Sequence, residues 1–164
     1  MALPERYRPV NRPQAESREF ALSSTMASVA QIEAAAEQLA LEAGLDEDQR
    51  FNISMAVREA AVNAVIHGNE YDSAKHVSVR LQNTGSDLIF TIADQGKGLG
   101  ENFDPNSLPD PLAPENLLRG CGRGIFLIRS FMDEVHFRQL QPGTELTLVK
   151  HLAPAGDPPD ALAR

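Results

Sequence analysis

Three short stretches of this chain carry residue types that could do chemistry. The first is REAAVNAVIHGNE (58–70), where Glu59, Asn63 and His67 recur every fourth residue in a run dominated by Ala and Val. That spacing stacks the three on one helix face. A carboxylate and a carboxamide one turn apart can act on the same bound group. Asn63 offers a neutral oxygen suited to a hard cation such as Mg²⁺, which keeps several waters when it meets phosphates. Glu59 could orient or deprotonate a nucleophile beside it. Taken alone, the spacing describes the polar side of an amphipathic helix equally well.

The second stretch is TIADQGKGLG (91–100). A strand delivers Asp94 at its end, and Gly96 and Gly98 follow in a turn. A carboxylate there can accept a hydrogen bond from an exocyclic amine such as that of adenine, and glycines beside it let a flat ring approach the backbone. Asp-x-Gly is also ordinary turn chemistry. The third stretch is RGCGRGIFLI (119–128), with glycines at 120, 122 and 124 opening a helix. Unpaired N–H groups and the positive end of the helix dipole make such a start a phosphate site, and Arg119 and Arg123 add charge suited to a terminal phosphoryl group. The spacing is neither GxxxxGK[ST] nor a dinucleotide fingerprint following a first strand. On its own it describes a flexible hinge.

The elements that must position these residues follow from period and punctuation. Residues 1–15, rich in Pro and Arg, are expected to form an extended arm. Alternation of Phe20 and Leu22 with polar residues predicts a short strand over 18–25. Thr25 or Ser28 can cap a helix whose stripe is Val29, Ile32, Ala36, Leu39, Ala40 and Ala43, ended by Gly44. Asp46 or Asp48 can cap a second helix running to about His67, with Phe51, Met55, Val62, Val65 and Ile66 on one side. Arg58 falls in the middle of that side without an evident partner. HVSVRLQN (76–83) and DLIFTIAD (87–94) predict a hairpin. The segment 97–120, with Pro105, Pro109, Pro111 and Pro114, has no sustained period; its length predicts a functional lid. A short buried helix over 122–132 and a closing hairpin, 134–140 with 143–152, complete the domain. The tail from 153 is expected to be disordered.

Composition narrows the classes. The 164 residues give room for one domain with a proper core. No run of about 18 apolar residues occurs, and MALPERYRPVNRPQ has no apolar signal-peptide core, so a cytoplasmic location without membrane attachment is expected. The single Cys121 excludes an internal disulfide. A net charge of −8 argues against direct nucleic-acid binding, which usually shows a basic field.

The order of the stations is more telling than any one of them: polar helix face, strand-Asp-x-Gly-x-Gly, long Pro-rich segment, Gly-rich helix start. The E-x-x-x-N helix, the D-x-G-x-G turn and the G-x-G-x-G loop resemble the N, G1 and G2 boxes of the gyrase and histidine-kinase type ATPase superfamily. NAVIHGN and GRGIFLIRSFMDEV are most similar to its stand-alone branch, the bacterial anti-sigma-factor serine kinases, over roughly residues 20–150. The resemblance implies an α/β two-layer sandwich, with a mixed, mainly antiparallel sheet and helices on one face. It implies ATP and Mg²⁺, with Glu59 as general base, Asn63 as metal ligand and Asp94 on the adenine amine, walled by Gly96 and Gly98. Gly120, Gly122 and Gly124, with Arg123, would wrap the phosphates, and Thr144 would support the adenine side. His67 matches no universal catalytic position and is read as a plain helix-end residue. The partners implied are an anti-sigma-factor antagonist phosphorylated on serine, a sigma factor, and a second copy in a homodimer. Two other readings share these motifs: a regulator that holds ATP without transferring phosphate, and a switch kinase acting on a scaffold protein.

Overall fold

A computed structural model describes residues 16–99 and 123–154. The expected arm, most of the lid with Gly120 and Gly122, and the tail beyond 154 lie outside the described residues. Strand β1 (Glu16–Ser23) leads into helix α1 (Met26–Glu42), whose start is capped by Thr25: its hydroxyl accepts from the Ser28 amide at 3.2 Å. Val29, Ile32, Ala36, Leu39 and Ala40 turn inward as the stripe predicts, and Gly44 follows with φ 82°. Helix α2 (Glu47–Asn63) starts on a reciprocal capping box. The Asp46 carboxylate accepts from the Gln49 amide at 2.8 Å, and the Gln49 side chain accepts from the Asp46 amide at 3.2 Å. Glu47 and Asp48 in the first turn add favourable charge against the helix dipole.

The buried side of α2 matches the expected one only toward its end, where Val65 is fully buried and Val62 and Ile66 pack against the core. Earlier, Ile53, Ala56, Val57, Ala60 and Ala61 face inward, whereas Phe51 is 59% exposed and Met55 is only half-buried. Small side chains let α2 lie close to its neighbours, so the Ala-rich side goes in and the larger residues stay at the rim. Arg58 is explained by the same rotation: it reaches across to Glu33 of α1 at 3.2 Å while remaining near solvent.

Strands β2 (His76–Asn83), β3 (Asp87–Ala93), β4 (Glu134–Gln139) and β5 (Thr144–His151) join β1 in one sheet of order β1-β2-β3-β5-β4. All four ladders are antiparallel, so among the described strands the mainly antiparallel sheet is wholly so. Register aligns Phe20, Val79, Ile92, Leu146 and Phe137 across the sheet, and sets Phe90 between Leu81 and Leu148. This inner face meets α1, α2 and the short helix α3 (Arg123–Phe131), completing the two-layer sandwich that the resemblance implies. Each large side chain buried as fully as Phe90 contributes about 1.5–3 kcal/mol. A surface pair such as Arg80–Glu19, at 2.6 Å, contributes no more than about 1 kcal/mol, so the apolar layer holds the fold.

Candidate active site

Past Asn63 the helix widens into a π-turn, Ala64–Gly68, closed where the Asn69 amide donates to the Ala64 carbonyl at 2.8 Å. Such wide turns recur at functional sites. Here Ala64, His67, Gly68 and, just beyond, Glu70 form one wall of a cavity of about 480 Å³. Asn63 belongs to the same wall, so Asn63 and His67 of the polar stripe both face the cavity; His67 ends the helix as expected and also lines the site. Ile92, Phe137 and Leu146 supply an apolar wall from the sheet, and Asp94, Gly98 and Thr144 stand at its edge. The volume suits a ligand of nucleotide size.

Asp94 is buried, with 8% exposure, directly after the last residue of β3. Its Oδ1 accepts two backbone N–H bonds, from Gly96 at 2.9 Å and Thr144 at 3.2 Å, and its own amide donates to the Thr144 carbonyl at 2.9 Å. Burial pushes the carboxyl above the ordinary carboxylate range, while the Gly96 and Thr144 N–H groups, and then the Lys75 charge, pull it back. Oδ2 lies toward Gly68, where a β-carbon would overlap the carboxylate; a β-carbon on Gly96 would in turn overlap the Gly68 carbonyl. Two backbones therefore touch beside Asp94, and glycine is needed on both sides. Sequence reasoning named Gly96 and took Gly68 only as a helix stop, because a contact between segments far apart in sequence leaves no local signal.

The third motif meets the first. Gly124, near the start of α3, lies against α2: a β-carbon there would sit 3.0 Å from Glu59 Oε2 and 3.5 and 3.6 Å from the Asn63 amide atoms. Gly124 and Ile125 also line the cavity, whereas Glu59 stands just behind its wall, half-buried. The Asn63 amide oxygen is a hard, neutral donor that would suit Mg²⁺ in the presence of a phosphate ligand, and the Glu59 carboxylate one turn earlier is left beside it. Among the described residues no cluster of three or more His, Cys, Asp or Glu could hold a metal ion. Arg123 opens α3 and is exposed, outside the cavity wall. Gly98 is in the wall, and the next amide, of Leu99, donates to Gln139 Oε1 at 2.6 Å. Glu70 and Lys97, which sequence reasoning did not single out, face each other at 3.8 Å at the cavity's edge.

Comparison with known proteins gives the family of the fold. A profile described as the Histidine kinase-like ATPase domain matches residues 22–150. An anti-sigma F factor of Anoxybacillus flavithermus is 35% identical over 135 residues, covering 82% of this chain and 90% of that protein. A serine-protein kinase RsbW of Bacillus licheniformis is 32% identical over 117 residues, 70% of this chain and 72% of the relative. Among solved structures, the RsbU and RsbW domains of a Mycobacterium tuberculosis protein superpose with a TM-score of 0.60 at 20% identity, over 85% of this chain and 34% of that longer one. A histidine kinase domain from Erythrobacter litoralis gives a TM-score of 0.51 at 19% identity, over 77% of this chain and 60% of that one. No helix among the described residues is long and apolar enough to cross a membrane. With three motifs converging on one cavity and a family match spanning nearly all of the described residues, the chain belongs to the histidine kinase-like ATPase family, in the branch of anti-sigma F factors and RsbW serine-protein kinases.

Proposed function

We propose that this chain is a cytoplasmic, Mg²⁺- and ATP-dependent serine/threonine protein kinase and anti-sigma factor. It phosphorylates a serine of an anti-sigma-factor antagonist and sequesters a sigma factor, acting as a homodimer. The observation that carries the reading is the close approach of Gly124 to Glu59 and Asn63, where Gly124 and Asn63 line a cavity that Asp94 also lines. Residues separated by some sixty positions thereby meet around a space of nucleotide size. The names of the relatives support the kinase and anti-sigma parts of the reading.

In this reading each residue takes the role that the family resemblance implies. Asp94 Oδ2 accepts from the adenine amine, and Ile92, Phe137 and Leu146 cover the ring. Gly96, Gly98 and Thr144 form the wall around Asp94, and Gly120, Gly122, Arg123 and Gly124 hold the phosphates at the start of α3. Asn63 is the protein ligand to Mg²⁺, which neutralises charge on the phosphates when bound. Glu59 takes the proton of the attacking serine hydroxyl as the serine oxygen bonds to the γ-phosphorus and the bond from that phosphorus to the leaving ADP oxygen breaks. Such proton transfer contributes about 10²–10⁴-fold.

Glu59→Ala tests the assignment. Transfer from labelled ATP to the cognate antagonist should fall by about 10²–10⁴-fold while an ATP titration stays unchanged. Wild-type transfer by the variant would remove Glu59 from the role of base. No transfer by the wild-type protein to any antagonist would leave a regulator that only binds nucleotide or partner.

A further inference from the structure

Asn69 is fully buried, and the proposed chemistry gives it no part. Its amide is used at both ends. Nδ2 donates to the His76 carbonyl at 3.0 Å, and Oδ1 accepts from the Gln95 amide at 2.8 Å. A third bond closes the figure: the His76 amide donates to Gln95 Oε1 at 2.7 Å. Asn69, His76 and Gln95 thus form a closed ring of three hydrogen bonds. The ring joins the end of the π-turn, the first residue of β2 and the residue next to Asp94.

The surroundings show how tightly this corner is held. Immediately after Asn69 the chain turns away through Glu70 and Tyr71, both non-glycine residues with positive φ, 51° and 58°. Such conformations persist where neighbouring structure over-determines them. Here the Tyr71 amide is anchored on the Val65 carbonyl at 2.9 Å, and Asn69's own amide closes the π-turn. Gly68 precedes Asn69 and presses on the Asp94 carboxylate, while Gln95 follows Asp94. The ring therefore fixes the two backbones that bracket Asp94, one on each side. A buried amide satisfied at both ends is stiff, and truncating Asn69 leaves the Gln95 N–H and the His76 carbonyl without these partners.

We propose that Asn69, with Gln95 closing the ring, is a positioning residue that aims Asp94 at the exocyclic amine of the base and so sets the preference for adenine over purines lacking that amine. This rests on Asp94 being the adenine acceptor. A carboxylate displaced by about 1 Å loses much of a directional contact, whereas stacking against Ile92 and Leu146 and the phosphate contacts are insensitive to such a shift.

The test compares two nucleotides on the full chain with Mg²⁺: ATP, and purine riboside triphosphate, which differs only by lacking the 6-amino group. Wild type, Asn69→Ala and Gln95→Met are titrated with each, alongside thermal unfolding. Wild type should prefer ATP. The preference should fall about tenfold in Asn69→Ala and about threefold in Gln95→Met, the scale of one or two hydrogen bonds, with the purine riboside affinity held within about twofold. If Asn69→Ala does not fold, Gln95→Met decides, because its side chain is exposed and can be replaced without opening the core. Equal weakening of both nucleotides, or an unchanged preference in a wild type that discriminates, would reduce the ring to a structural staple and overturn the positioning role alone. A wild type that binds both nucleotides equally would overturn the adenine assignment and this proposal with it.

Discussion

Asp94 is pulled two ways by its burial and by its proposed contact with a base. Its folded-state pKa lies above that of the unfolded chain, so the folded form holds its proton more tightly. As pH rises from the ordinary carboxylate range through that folded pKa, the unfolded state gains relative to the folded one, and above it the loss is complete. Asp94→Asn removes the buried charge yet keeps an oxygen for the Gly96 and Thr144 amides. The variant should therefore unfold at higher denaturant than wild type near neutral pH. It should bind ATP at least about tenfold more weakly, because an amide N–H₂ in place of Oδ2 meets a donor with a donor. Unchanged ATP affinity would remove Asp94 from base recognition. Asp94 stood out in the sequence only through the order of the three motifs, because Asp-x-Gly by itself is ordinary turn chemistry. Gly68 and Asn69 did not, since their roles exist only where the helix end touches the turn after β3.

The elements were legible where chemistry is local. Thr25 and Asp46 announce helix starts by side chains that bond their own following amides, and alternation announces β2 and β3. What misled was the inward side of α2. Phe51 and Met55 carry strong apolar signal, while Ala56, Ala60 and Ala61 carry little, yet a helix packed this closely buries its small residues. The Asp46 cap offers an element-scale check, because it lies more than three turns from Asn63. Asp46→Ala should cost about 1 kcal/mol in denaturant unfolding and leave nucleotide affinity unaltered. A changed affinity would mean that the start of α2 is coupled to the end that lines the cavity.

At the scale of the whole molecule, the sheet joins the site to a distant edge. Asp87 and His151 are register partners at the far end of β3 and β5, with His151 Nδ1 2.6 Å from Asp87 Oδ1. The Asp87 hydrogen bond chiefly raises the imidazole above its ordinary value, and the His151 bond chiefly lowers the Asp87 carboxyl. A raised imidazole contributes stability that is fully present below about 6.5 and fades as pH rises through the folded pKa; the depressed carboxyl loses its share as pH falls through its own folded value. The stability difference between wild type and His151→Ala should thus be largest in mildly acidic solution and shrink toward alkaline pH, and a difference that grows with pH would contradict the pair. The overall order of helices and strands was legible at this scale; the convergence of Glu59, Asn63 and Gly124 was implied only by the family resemblance, because helix packing depends on pairs of faces that no single stretch reveals. The π-turn at Ala64–Gly68 has a consequence of another kind. The turn is already widened to i→i+5 bonding, and an α-helix advances about 100° per residue, so a further residue inserted in this segment would swing Gly68 and Asn69 about a quarter-turn away from Asp94.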